Sequence, residues 1–129
     1  MISERKSYVL FGISGYKALI DTILKDYQIE KDNFEIRLIL TEALTNAFKH
    51  GNKSDEKASI SLQIYFDGEF LEMEIVDSEK NKDMVIIPDS ILEDKILDVG
   101  GRGLFLINSI ADMVEYQKNK LVIKKRLTI

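Results

Sequence analysis

The chain has 129 residues, 45% of them apolar, and a formal net charge of −4, which suits one hydrophobic core and sets up no overall positive field for nucleic acid or anionic lipid. Cysteine is absent and histidine occurs once, so disulfides, thiolate zinc sites, cysteine nucleophiles and multi-histidine metal centres are excluded, and only a hard, oxygen-liganded ion such as magnesium remains open. No apolar run has signal-peptide form or approaches the ~20 residues of a membrane span, so a cytoplasmic protein without membrane contact is expected.

In chain order, Arg5 to Phe11 reads as a strand ended by Gly12. Ser14 to about Tyr27 reads as a helix capped by Ser14, with Tyr16, Leu19, Ile20, Ile23 and Leu24 as its buried set. Asp32-Asn33-Phe34-Glu35 has capping-box form and opens a second helix that runs to Gly51. On that helix Ile36, Leu40, Ala43, Leu44 and Ala47 share one face, while Glu42, Asn46 and His50 are spaced four apart and stack along the other. A carboxylate, an amide and an imidazole in line can serve chemistry; periodicity alone equally describes a solvated face. His50-Gly51 equally reads as a plain helix end, with glycine at the left-handed cap position.

Ser59 to Phe66 alternates polar and apolar residues, Asp67-Gly68 favours a two-residue hairpin turn, and Leu71 to Asp77 supplies the returning strand. A two-residue loop places Ile64 opposite Leu71, Leu62 opposite Met73, Ile60 opposite Ile75 and Ala58 opposite Asp77. Asp77 then lies at the end of the domain that also holds Asn46 and His50. It either meets a partner there or reaches water at the strand end.

From Ser78 to Val99 no periodicity is clear, and a connection of about that length inside a single domain (1–129) is expected to be a lid. It leads to Gly100-Gly101-Arg102-Gly103, followed by a helix from Leu104. Glycines that free the main-chain N–H groups at a helix start make an anion site. A dinucleotide fingerprint is rejected, because no strand directly precedes these glycines and the G-x-G-x-x-G spacing is absent. Met113 to Lys118, a turn at Asn119-Lys120, and Leu121 to Ile129 form a closing antiparallel pair. The cluster Lys118, Lys120, Lys124, Lys125, Arg126 reads as exposed positions on an edge strand.

The runs Glu42-Ala43-x-x-Asn46-Ala47-x-x-His50-Gly51, Ile75-Val76-Asp77 and Gly100-Gly101-Arg102-Gly103-Leu104-Phe105-Leu106-Ile107, in this order, resemble the histidine-kinase-like ATPase superfamily. Over nearly the whole chain the sequence is most similar to its stand-alone anti-sigma-factor serine/threonine kinases. The resemblance implies an α+β, two-layer α/β sandwich in which a mostly antiparallel sheet is covered on one face by about three helices, with a lid loop over a site for ATP and Mg2+. It implies that Asn46 holds the magnesium, that Asp77 accepts from the adenine amino group, and that Gly101 and Gly103 with neighbouring N–H groups hold the phosphates. His50 and Leu104 belong to the same nucleotide set. Arg102 either adds positive charge near the γ-phosphate or points to solvent. Glu42 is implied as the base that orients a serine hydroxyl. The partners implied are a sigma factor and an anti-sigma-factor antagonist protein, with a homodimer as the assembly and no direct nucleic-acid contact.

One departure stands out. Members usually follow the adenine-binding aspartate with Asp-x-Gly-x-Gly, whereas this chain runs Asp77-Ser78-Glu79-Lys80-Asn81. Asn81 tolerates a left-handed backbone, but Glu79 does so poorly and brings a negative charge toward the nucleotide. A second reading therefore stands beside the kinase: a non-catalytic partner-switching module with a degenerate ATP site.

Overall fold

The computed structural model describes residues 5–78, 101–117 and 119–128, with the side chains of residues 101 and 102 excepted. The elements are β1 (Arg5–Phe11), α1 (Tyr16–Asp26), α2 (Asn33–Asn46) continued by a π-helical turn (Ala47–Gly51), β2 (Ser59–Phe66), β3 (Phe70–Asp77), α3 (Gly101–Ile110), β4 (Met113–Gln117) and β5 (Lys120–Arg126). Among the described residues these make one five-stranded sheet in the order β1-β2-β3-β5-β4, every neighbouring pair antiparallel. The expected α+β arrangement of an antiparallel sheet and three helices is thus the observed one. The expected lid, about 78–99, lies outside the described residues except for Ser78.

Strict alternation builds the inner face of the sheet. Ile60, Leu62, Ile64 and Phe66 of β2 and Leu71, Met73 and Ile75 of β3 are buried, and Leu121 and Ile123 of β5 join them. Against this layer lie Ile20, Ile23 and Leu24 of α1, then Ile36, Ile39, Leu40, Ala43 and Leu44 of α2, and Leu104 and Ile107 of α3. The apolar stripe read from the second helix is therefore the buried one, widened by Ile39. Tyr16 and Leu19 pack against this core only partly buried.

Three expectations change. The hairpin pairs Phe66 with Leu71, Ile64 with Met73, Leu62 with Ile75 and Ile60 with Asp77, two residues away from the expected register. The cause is Asp67: its Oδ1 accepts from the N–H groups of Glu69 (2.9 Å) and Phe70 (2.8 Å), and Asp67 N–H donates to the Phe70 carbonyl. This closes a longer turn with Gly68 at φ 103°. A slip of two keeps every side chain on its face, so apolar residues still meet. Those two N–H donors, Phe70 first, hold the Asp67 carboxyl below the usual carboxylate range. That contribution to the turn is present at neutral pH and is lost as pH falls through the depressed value.

The cationic cluster is not on an edge. β5 lies between β3 and β4, and Lys120 pairs with Glu74 (2.6 Å), Lys124 with Glu72 (3.7 Å), Lys125 with Glu35 (3.3 Å) and Arg126 with Glu69 (3.7 Å). Lys118 lies outside the described residues. The third change concerns helix starts. α1 begins after Gly15 without a side-chain cap, so Ser14 does not cap it, and Asp32 precedes α2 without capping it through its side chain. Asp32 is instead buried and accepts from Thr128 N–H and from Thr128 Oγ1 (3.0 Å), tying the chain after β5 to the start of α2.

Among the described residues no helix is long and apolar enough to cross a membrane. The Asp32 contact yields a direct test. Thr128→Val keeps the shape of the side chain but removes a donor to a buried carboxylate, so urea unfolding should show a loss of about 1–3 kcal/mol. A side chain serving only as a helix cap would be indifferent to residue 128.

Candidate functional site

Asp77 ends β3 on the inner face of the sheet, where alternation otherwise places a hydrophobe, and it is 6% exposed. It does not reach water at the strand end. Its N–H donates to the Asn119 carbonyl (3.1 Å) and its own carbonyl accepts from Asn119 Nδ2 (2.8 Å), so the turn between β4 and β5 holds its main chain. Its carboxylate rests on Gly51: a Cβ built there would fall 2.5 Å from Asp77 Cγ and 2.9 Å from Asp77 Cβ. Gly51 is thus required by this close approach. It is not the left-handed cap; the left-handed residues are Lys53 (φ 52°) and Ser54 (φ 61°).

The π-helical turn brings Gly51 to Asp77. Asn52 N–H donates to the Ala47 carbonyl five residues back (2.8 Å), which fits more residues into the turn than an α-helix would. One consequence is that His50 no longer stands one α-turn above Asn46, so the straight ridge expected from the sequence holds only for Glu42 and Asn46. All three are half-buried, whereas Lys49 is exposed, so this side of the helix is not a solvated face.

Ala43, Asn46 and Ala47 line a narrow cleft together with Ile75, Asp77, Tyr116, Asn119 and Leu121. Its volume of about 10 Å³ holds roughly one water. Asn46 and Asp77 therefore face the same space from the helical layer and from the sheet, and His50 is not among the lining residues. On the other side of Asn46, Glu42 meets the first turn of α3. A Cβ at Gly103 would lie 2.8 Å from Glu42 Oε2, so the missing side chain at 103 lets this carboxylate approach the helix. The main-chain N–H groups of that turn have no partners within the helix and sit at its positive end, where negative groups are favoured. Gly101, Arg102, Gly103 and Leu104 are all in this turn. Leu104 is 2% exposed and part of the core, so it could offer a ligand only its main-chain N–H. The side chain of Arg102 lies outside the described residues, as do Glu79 and Asn81.

Chemically the site combines a buried carboxylate acceptor, an amide, N–H donors at a helix start and a second carboxylate beside them. Among the described residues no three His, Cys, Asp or Glu side chains gather as a metal site. Sequence reasoning missed Asn52, Tyr116 and Asn119; the Asn119-Lys120 turn was legible, but its approach to Asp77 depends on β5 pairing with β3.

Residues 17–126 match the family model of the histidine kinase-like ATPase domain. Over 120 residues the chain is 30% identical to the serine-protein kinase RsbW of Listeria innocua serovar 6a, covering 88% of this chain and 74% of that protein. It is likewise 30% identical over 120 residues to the serine-protein kinase RsbW of Listeria monocytogenes serovar 1/2a, and 29% to that of serotype 4a, with the same coverage.

The two glycines should respond differently to an added methyl. At Gly51 the obstruction includes the Cβ of a buried residue, so Gly51→Ala should lower stability by about 1–3 kcal/mol in urea titration. At Gly103 the nearest atom is the tip of a flexible side chain, and alanine favours a helix by up to about 1 kcal/mol, so Gly103→Ala should be at least as stable as the parent.

Proposed function

The chain belongs to the histidine kinase-like ATPase family, and on that premise we propose that it is an ATP- and magnesium-dependent protein serine/threonine kinase that phosphorylates a small anti-sigma-factor antagonist and sequesters a sigma factor. The observation that carries this reading is the meeting of Asn46 and Asp77 across one cleft, with the glycine-containing start of α3 and Glu42 beside it. With the resemblance come a homodimer and action in the cytoplasm.

The residues suit the group they would hold. Asp77 is a carboxylate whose main chain is held by Asn119, which suits acceptance from a ring amino donor; the cleft it shares with Asn46 has room for about one water, so the ring itself would lie outside that cleft. Asn46 offers one neutral oxygen, and since no acidic cluster adjoins it among the described residues, a magnesium ion there takes its other ligands from phosphates and water, as magnesium commonly does. The N–H groups of residues 101–104 point to an anion by the geometry of a helix start. His50 sits on the π-helical turn and is not among the residues that line the cleft.

Bound Mg-ATP supplies the γ-phosphoryl group and neutralises its charge. Asp77 would orient the adenine and Asn46, through the magnesium, the phosphates, so that transfer becomes chiefly a matter of positioning. Glu42, half-buried beside Gly103, would accept the proton of the incoming serine hydroxyl at its carboxylate as the serine oxygen bonds to the γ-phosphorus, the bond from that phosphorus to the bridging oxygen breaks and ADP leaves.

Calorimetric titration with Mg-ATP tests the reading. The parent should bind, Asn46→Ala and Asp77→Asn should abolish binding, and Glu42→Gln should retain binding while serine phosphorylation of the antagonist falls about 10²- to 10⁴-fold. No binding by the parent at millimolar nucleotide would reject the kinase and leave the non-catalytic partner-switching module, consistent with Glu79 and Asn81 replacing the family's glycines. Gly103→Ala, folded as above, should lower phosphoryl transfer because its methyl displaces the Glu42 carboxylate.

A further inference from the structure

Asn52 lies just beyond the π-helical turn and is buried at 6% exposure, though nothing in the nucleotide chemistry calls on it. Every polar group it carries is used. Its N–H donates to the Ala47 carbonyl (2.8 Å) and its own carbonyl accepts from Asp55 N–H (3.0 Å). Its Nδ2 donates to the Ser59 carbonyl at the start of β2 (3.1 Å), and its Oδ1 accepts from both the N–H and the Oγ of Ser78 (2.9 Å each). One side chain therefore joins the turn that carries Gly51 to the strand that precedes Asp77 in the sheet and to the residue that follows Asp77 in the chain.

The position of Asp77 is thereby set from three directions. Gly51 lies under its carboxylate, Asn119 pairs with its N–H and carbonyl, and Asn52 holds Ser78 directly after it. β3 ends at Asp77, so no further sheet pairing fixes the main chain at Ser78, and Asn52 supplies the substitute. We propose that Asn52 is a positioning residue for base specificity: by clamping Ser78 it aims the Asp77 carboxylate so that the site prefers a purine bearing a 6-amino group. The Asn52 side chain acts through Asp77 and does not itself touch the nucleotide. The inference rests on the assignment of Asp77 to the adenine ring made above.

A pair of nucleotides separates aiming from mere stability. ATP and purine riboside triphosphate differ only in the 6-amino group, and the parent should bind ATP more tightly. In Asn52→Leu, which keeps the branching at Cγ but neither polar arm, that preference should shrink roughly tenfold, as expected for one misaligned hydrogen bond, while affinity for purine riboside triphosphate stays within about twofold of the parent. Ser78→Ala, which removes only the hydroxyl arm and spares the fold if Asn52→Leu does not fold, should reduce the preference in the same sense by a smaller factor. Equal weakening of both nucleotides, or an unchanged preference in both variants, would overturn the positioning role while leaving the nucleotide site intact. A parent that binds neither triphosphate, or binds both equally, would instead reject the Asp77 assignment and the inference with it.

Discussion

The contact between the Asp77 carboxylate and the bare Cα of Gly51 is the constraint on which the site depends. A carboxylate on the inner face of a sheet is costly to bury unless its surroundings are polar and shaped for it. Here the strand carrying it meets the helical layer at a helix position without a side chain. Any larger residue at 51 would push α2 and β3 apart at the point where Asn46 and Asp77 face each other. The remaining polar groups follow from that approach: Asn119 satisfies the main chain of Asp77 and Asn52 that of Ser78.

The π-helical turn is the device that permits it. An α-helix continued to Gly51 would have kept Glu42, Asn46 and His50 in one line. The wider turn, closed by Asn52 N–H on the Ala47 carbonyl, swings His50 out of that line and presents Gly51 to the sheet. π-turns cost hydrogen-bond quality and occur often at functional sites, and this one lies between the residue that faces the cleft, Asn46, and the residue that lets Asp77 in. At the other end of the ridge the same logic recurs with Gly103, which admits Glu42 to the first turn of α3. Two missing side chains thus admit two carboxylates, Asp77 against the π-helical turn and Glu42 against the first turn of α3.

The sheet behind this site is held in register by charge as well as by apolar packing. Glu72 lies directly opposite Lys124 across β3 and β5, and Lys120 reaches Glu74 one diagonal step away. Pairs of this kind are individually weak when exposed, but opposite charges across neighbouring strands favour one alignment over its slips. That alignment carries Asn119 to Asp77, so the outer, solvated face of the sheet helps set the geometry of the inner one.

By itself the sequence determined the element types, the apolar faces and the family. Alternation in β2 and β3 and the stripe on α2 are local periodicities, and the spacing of Glu42, Asn46, Asp77 and the glycines is a property of the chain alone. It could not determine the hairpin register, because a shift of two residues leaves every side chain on the same face and only the Asp67 turn bonds distinguish the alternatives. Nor could it tell that Gly51 is needed for a neighbour and not for its own dihedral angles, that Asp32 serves Thr128 in preference to its own helix, or that the lysine-rich strand is interior to the sheet. Each of these rests on a contact between segments far apart in sequence, formed only once the strands have chosen their neighbours, and for that reason the tertiary structure alone decided them.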